Sequence, residues 1–251
     1  MTRPLVLVTN DDGVSAPGIQ ALRDAMARVG RAVVVAPERD NSAVSHSLTM
    51  HRPLRVKTLA PDVYTLDGTP TDCVILAIEK LLPERPALVA SGINAGGNLC
   101  DDIHYSGTVS AAIEGTMLGI PSVAVSMPGD GPYHFEAAAM VAERLARLVL
   151  DQGLPRDTLL NINVPNDRDA TTLPIAFTRQ GRRTYADVIQ ETLDPWGRPH
   201  YWIGGGTPSW DQGDDTDSRQ VRARRVSVTP IHLDLTNYAA LERLRREWGQ
   251  P

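Results

Sequence analysis

Through the first 165 residues, short apolar runs alternate with segments whose apolar residues recur every three to four positions. Leu5 to Thr9, Ala32 to Ala36, Ala87 to Ser91, Ser122 to Ser126 and Leu159 to Val164 are near-continuous apolar, the mark of strands covered on both faces. Between them, Pro17 opens a helical spacing through Ile19, Leu22, Met26 and Val29 that stops at Gly30. An extended excursion through Val56 and Val63 to Leu66 leads to Thr69-Pro70, which opens a second helix through Val74, Ile75 and Ile78 to Leu82. A third runs from near Ser106 to Gly119, and a long fourth covers Phe135 to Leu150. This alternation predicts an α/β, Rossmann-like fold, a mostly parallel sheet with helices on both faces.

Beyond residue 165 the pattern changes to Gly-, Pro- and Asp-rich stretches, with strands expected near Ala176 and over Val221 to Thr229 and a short helix over Leu241 to Trp248. The chain therefore divides into a catalytic core, residues 1–165, and a β-rich C-terminal extension, residues 166–251, packed on it as a hairpin and a short helix. Strand signals between Trp196 and Val228 include Trp196, Trp202 and Trp210 but little helix to cover them. Another subunit could supply that cover, so a homodimer or homotetramer made partly by the extension is expected.

Length and charge narrow the function. A chain of 251 residues, 42% hydrophobic and 22% charged, buries a full core and has the composition of an ordinary globular enzyme. A net charge of -5 repels a long nucleic acid and gains nothing at an anionic membrane, so an anionic substrate needs local help. The start enters an apolar run directly at Pro4 to Val8, without a secretion-signal pattern, and no stretch is long enough to span a membrane. Cys73 and Cys100 form no metal-ligand or disulfide framework. A cytoplasmic protein is expected.

In open α/β sheets ligands bind beyond the carboxyl ends of the strands, here the loops after Thr9, Ala36 and Ser91. The first is Asn10-Asp11-Asp12-Gly13, which puts two carboxylates where dinucleotide-binding folds put glycines; both meet one ion only if the backbone turns, and Gly13 permits that. The second, Pro37 to Ser47, is rich in hydroxyls and short amides, and the third begins Ser91-Gly92-Ile93-Asn94. Two carboxylates with a Ser hydroxyl and an Asn carbonyl suit a hard divalent cation, Mg²⁺ or Mn²⁺, whereas zinc would recruit His or Cys. The third loop ends in Ser106-Gly107-Thr108, opening a helix whose unpaired N–H groups, hydroxyls and open Gly backbone make a phosphate cradle. Taken alone, Ser106 reads first as an N-cap and His46 first as a loop hydrogen-bonding residue; it is the metal loop, the Gly-Gly loop and the helix start at one sheet edge that favour the cradle.

Asn10-Asp11-Asp12-Gly13 followed by Ala16-Pro17-Gly18-Ile19 resembles the opening of the SurE (survival protein E) nucleotidase family. The likeness continues through Ser42, Gly68-Thr69-Pro70-Thr71-Asp72-Cys73, Ser91-Gly92-Ile93-Asn94-Ala95-Gly96, Tyr105-Ser106-Gly107-Thr108 and Val228-Thr229-Pro230. It implies a 5'/3'-nucleotidase acting on nucleoside monophosphates, with one divalent metal cation held by Asp11, Asp12, Ser42 and Asn94. Asn98, Ser106, Gly107 and Thr108 would bind the phosphate. Two positions depart from the family pattern: Ala43 and Cys100 stand where glycine is usual, and a non-Gly residue there costs about 1 kcal/mol if the backbone is left-handed.

The expected reaction is direct attack of water on a metal-bound phosphoryl group, with Asp11 or Asp12 orienting the water as well as holding the ion. His232, after the strand ending near Thr229, is a candidate acid for the leaving nucleoside oxygen or simply a structural strand-end residue. A phosphorylation-receiving domain shares the acidic pair, but its acceptor Asp would end a third strand where this chain has Ser91-Gly92-Ile93-Asn94; a dinucleotide-binding oxidoreductase lacks its Gly fingerprint. Asp211, Asp214, Asp215 and Asp217 read as a solvated acidic surface loop.

Overall fold

The structure, a computed structural model, describes residues 3–186, 189–203, 207–211 and 213–249. Its elements run β1 (Leu5–Thr9), α1 (Pro17–Val29), β2 (Arg31–Pro37), β3 (Val56–Ala60), β4 (Val63–Leu66), α2 (Pro70–Leu76), β5 (Leu88–Ala95), α3 (Gly107–Met117), β6 (Ser122–Met127), α4 (Phe135–Gln152) and β7 (Thr158–Asn163). They continue β8 (Ile175–Phe177), β9 (Arg183–Ala186), β10 (Ile189–Leu193), β11 (Pro199–Ile203), β12 (Thr207–Trp210), α5 (Asp217–Arg222), β13 (Val226–His232) and α6 (Tyr238–Trp248).

One nine-stranded sheet, ordered β3-β4-β2-β1-β5-β6-β7-β13-β8, forms the centre, and β4 through β7 are parallel throughout. The period-2 pattern of β1 shows why: Val6 and Val8 pack with Ile19, Leu22 and Met26 of α1 and Ala142 and Leu145 of α4. Leu5 and Leu7 face the other way, onto Cys73 and Val74 of α2 and Ala111 of α3. Each face is thus covered by a helix pair, and truncating a fully buried side chain such as Leu7 to Ala should cost about 2–5 kcal/mol. Helix α2 starts where the sequence reading put it, on a reciprocal cap between Thr69 and Asp72. The chain leaves β1 for β2 on one side and returns to β5 on the other, so the topological switch point lies between the carboxyl ends of β1 and β5.

The structure departs from expectation in three places. Strand β5 runs on to Ala95, so Ser91-Gly92-Ile93-Asn94 lies within an irregular strand end rather than a loop; pairing with β6 shifts register between Ser91 and Asn94. The sheet also crosses residue 165, because β13 pairs antiparallel with β7 and parallel with β8. Finally, Val221 belongs to α5, which Thr216 caps by accepting from the Arg219 N–H, and the strand begins only at Val226. No helix among the described residues is long and apolar enough to cross a membrane.

Candidate active site

Beyond Thr9 the chain turns sharply. Asn10 Nδ2 donates to the Gly13 carbonyl at 2.9 Å, and Gly13 sits at φ +96° with the Arg39 backbone 3.2 Å from where a Cβ would stand. The Asp11 carbonyl accepts from the Asn41 N–H at 2.8 Å, which ties the loop after β2 to this turn. From the turn the two carboxylates reach different elements. Asp11, only 4% exposed, accepts a short hydrogen bond from the Thr108 hydroxyl at the start of α3. Asp12 Oδ2 accepts from the Ala95 N–H at 3.3 Å, at the end of β5. The pair therefore occupies the switch point.

Burial pushes the Asp11 carboxyl upward, partly offset by the Thr108 hydroxyl, with the charge of Asp40 adding to the rise. Asp12 is pushed up to about 6, first by burial and then by the charge of Asp11, with Asp40 again unfavourable. Among the described residues, none of these three carboxylates forms an ion pair with Lys, Arg or His. An acidic cluster at a buried strand end without a protein cation is what a divalent ion would neutralise. No three His, Cys, Asp or Glu side chains among the described residues form a metal-binding group by themselves, so neutral oxygens must complete a ligand set.

Ser42 and Asn94 are the neutral oxygens expected to do so. Ser42 is exposed, and both its N–H (2.7 Å) and its hydroxyl (2.6 Å) donate to Asp40 Oδ1. Asn94 donates Nδ2 to the Gly96 carbonyl at 2.9 Å, leaving its carbonyl oxygen, the atom a hard cation takes, as the free end. Gly92 makes this strand end possible: at φ +131°, an added Cβ would lie 2.3 Å from the Val125 carbonyl oxygen. Ala43 and Cys100 both adopt left-handed backbone, φ 58° and 55°, which meets the condition under which a non-Gly residue there is costly.

Ser106 caps α3 by accepting from the Val109 N–H at 3.0 Å, and its own proton is left to donate. Gly107 and Thr108 stand at the helix start as expected, and both are buried, because the turn after β1 packs on them. A Cβ on Gly107 would lie 2.7 Å from Asp11 Cβ, and Thr108 is engaged by Asp11. Asn98 is buried and braced: Nδ2 donates to Ser126 at 2.7 Å, its N–H donates to Asn163 Oδ1 at 3.0 Å, and its carbonyl accepts from Asn161 (2.8 Å) and Asn163 (3.0 Å).

His232 does not join this group. Strand β13 runs antiparallel to β7 and pairs His232 with Thr158, the first residue of β7, so His232 lies at the amino-terminal edge of the sheet, opposite the Asp11 turn. The direction of a late strand is not written in its apolar pattern. The acidic loop is also different from expectation. Asp211 and Asp215 both pair with Arg179, while Asp217 is fully buried and accepts from the N–H groups of Cys100 (2.8 Å) and Gly181 (3.1 Å). Sequence reasoning missed Asp217 and Asp40; for Asp217, an acid directly after a capping Thr was the available signal.

Fold and site together define an α/β protein with an uncompensated acidic pair at the switch point, facing a glycine-bearing helix start. The family model for survival protein SurE matches residues 6–187. The chain is 54% identical over 257 residues to a 5'-nucleotidase SurE of Geobacter sulfurreducens, covering 98% of this chain and 97% of that one. To the 5'-nucleotidase SurE of Syntrophotalea carbinolica it is 52% identical over 244 residues, 96% of each. The crystal structure of the SurE protein from Aquifex aeolicus superposes with a TM-score of 0.86 at 46% identity, over 97% of this chain and 99% of that one. The chain belongs to the SurE family.

Proposed function

We propose that this protein is a cytoplasmic, metal-dependent phosphomonoesterase that hydrolyses nucleoside 5'- and 3'-monophosphates to nucleoside and phosphate. The observation that carries the reading is the pair of buried Asp11 and half-buried Asp12, with Asp40 beside it and, among the described residues, no side-chain cation paired with it. A phosphate dianion could not approach such a cluster unaided, and oxygen donors alone suit Mg²⁺ or Mn²⁺. The relatives named as 5'-nucleotidases supply the substrate class.

In this reading Asp11, Asp12, Ser42 and Asn94 hold the ion, which when bound supplies charge neutralisation and polarises the phosphoryl group. Thr108 fixes Asp11 by its hydrogen bond, so its contribution is to place a ligand as much as to touch phosphate. Ser106 keeps a donor proton, and the start of α3 adds helix-dipole charge toward the transferring group. Asn98 stands rigid on Ser126, Asn161 and Asn163, a preorganised donor with no freedom to lose. Asp12, facing Ala95 at the mouth of the turn, orients the attacking water.

The test is phosphate release from AMP, GMP and the matching 3' esters with Mn²⁺ or Mg²⁺. EDTA should abolish turnover and either metal restore it. Asp11→Asn and Asp12→Asn nearly preserve shape and should fold, bind Mn²⁺ weakly and lose about a hundredfold or more in kcat. Full activity in EDTA, or an Asp12→Asn enzyme with wild-type turnover, would remove the metal from the mechanism.

The same protein is proposed to be a homodimer or homotetramer. Strands β10 and β11 form a separate two-stranded ribbon whose residues are all exposed, including Trp202 and Ile203, and α6 has no buried residue. Such a ribbon is marginal alone in water and gains from cover by another subunit. Light scattering at micromolar concentration that returned the mass of one chain would overturn this.

A further inference from the structure

The active-site turn is flanked by two clefts, and they differ in chemistry. One, about 340 Å³, lies by β2 and β4 and is lined by charged side chains of both signs, Glu38, Asp40 and Asp67 with Arg39 and Arg52, the last paired to Asp67, and by no aromatic ring. The other, about 260 Å³, opens against Gly97 on the Asn98 loop and against Pro128 and Gly129 beyond β6; its far wall is Arg183, Trp210 and Arg222. Arg183 and Trp210 are directly paired across β9 and β12, and Arg222 projects from α5. The Cζ atoms of both guanidinium groups lie over the Trp210 indole, 4.4 and 4.3 Å from its ring centroid.

We propose that this second cleft is the nucleoside subsite, in which the base of a nucleoside monophosphate stacks on the planar Arg183–Trp210–Arg222 wall. The proposal rests on the nucleotidase reading and adds where the base goes. Planar guanidinium and indole groups are what bases stack upon, and such stacking tolerates any base. Arg183 is paired with Asp102, and Arg222 adds a further positive charge to the wall of this cleft. Arg222 forms no ion pair with a carboxylate among the described residues, so its charge is available.

The wall is fixed to the catalytic loop. Asp217, the first residue of α5, is fully buried and accepts from the Cys100 N–H at 2.8 Å and the Gly181 N–H at 3.1 Å. Gln180 donates to the Cys100 carbonyl at 3.1 Å, and the Arg183 N–H to Asp101 Oδ2 at 2.8 Å. The extension therefore grips residues 100–101, two to three positions beyond Asn98, so that base and phosphate would be held at a set separation.

Calorimetric titration with adenosine, which carries a base and no phosphate, tests the cleft without turnover. Wild-type protein should bind it, and Arg222→Ala and Trp210→Ala should each weaken binding about fivefold or more. Arg222 is exposed, so its variant should fold even if Trp210→Ala does not. In parallel, kcat/KM for AMP should fall about tenfold in the variants while kcat/KM for β-glycerophosphate, an ester without a base, stays unchanged. Adenosine binding that is absent from the wild type or equal in Arg222→Ala, or equal losses on AMP and β-glycerophosphate, would overturn the subsite. Adenosine binding lost in Arg222→Ala, from a wild type that releases no phosphate from AMP, would support the subsite and overturn the nucleotidase reading instead.

Discussion

At the carboxyl ends of β1 and β5, four side chains of the proposed site are buried and closely surrounded: Asp11, Asn98, Ser106 and Thr108 are all inaccessible or nearly so. In the ribbon of β10 and β11, by contrast, all five residues of each strand are exposed. The first region carries its own constraints. Gly107 has no room for a methyl group because Asp11 lies there, and Gly92 none because the Val125 carbonyl does. The second is held to its own chain by little beyond ladder bonds and a turn in which Asp194 accepts from Trp196 and Arg198. On the proposed reading, geometry needed for chemistry is set within one chain, whereas geometry offered to a second subunit would be left open until that subunit covers it.

That contrast breaks first if the strand end tolerates change. Gly92→Ala combines a left-handed φ with a Cβ 2.3 Å from a backbone oxygen that cannot swing away, so it should cost about 3 kcal/mol or more of unfolding free energy. Denaturant unfolding reads it, and a loss under 1 kcal/mol would mean that the strand end relaxes easily. Gly107→Ala should act on chemistry more than on stability. Its methyl group forces Asp11 to move, and a displacement near 1 Å costs about a hundredfold in kcat. Unchanged kcat would show that the Asp11 position is not critical.

The extension should respond the other way. Trp202→Ser and Ile203→Ser alter exposed side chains, so chain stability measured at low protein concentration should change by less than about 0.5 kcal/mol. Sedimentation velocity should nevertheless show a lighter assembly. A large loss of stability with no change in mass would place these residues in the chain's own core after all.

How much of this was legible follows from the same physics. Strands β1, β2, β5, β6 and β7 could be read because each is largely apolar on both faces, and α1 and α2 because Pro, Gly and a Thr–Asp cap mark their ends. That Asp11, Asp12, Ser42 and Asn94 lie at or beyond the carboxyl ends of β1, β2 and β5 was readable, because ligands bind at those ends in this class of fold and the strands themselves could be placed. Burial of Thr108 was not readable, since it follows from the β1 turn folding back on α3, a long-range contact between residues 97 positions apart. His232 was misplaced because an antiparallel return reverses which edge of the sheet a residue faces. Asp217 looked like its acidic neighbours, and only the fold separates the one that is buried from those that pair with Arg179.

The smallest expected effect separates the two kinds of site at a single backbone conformation. Ala43 and Cys100 are both left-handed, φ 58° and 55°, and each replaces the glycine usual in the SurE pattern. Left-handed backbone costs a residue with a Cβ about 1 kcal/mol, which glycine would recover, less some entropy lost from the unfolded chain. Ala43 is exposed, so its methyl group contributes little packing and Ala43→Gly should stabilise by about 0.5 kcal/mol. Cys100 is fully buried, its Sγ donating to Asp217 Oδ1 at 3.4 Å and lying 2.9 Å from where a Gly181 Cβ would be. Cys100→Gly should therefore lose more in packing than it gains in backbone freedom, a net destabilisation of about 1 kcal/mol. Thermal unfolding of the two variants side by side should shift the midpoints in opposite directions. Two upward shifts would mean that Cys100 is held by its backbone hydrogen bonds alone, and that the grip of Asp217 on this loop does not depend on the thiol.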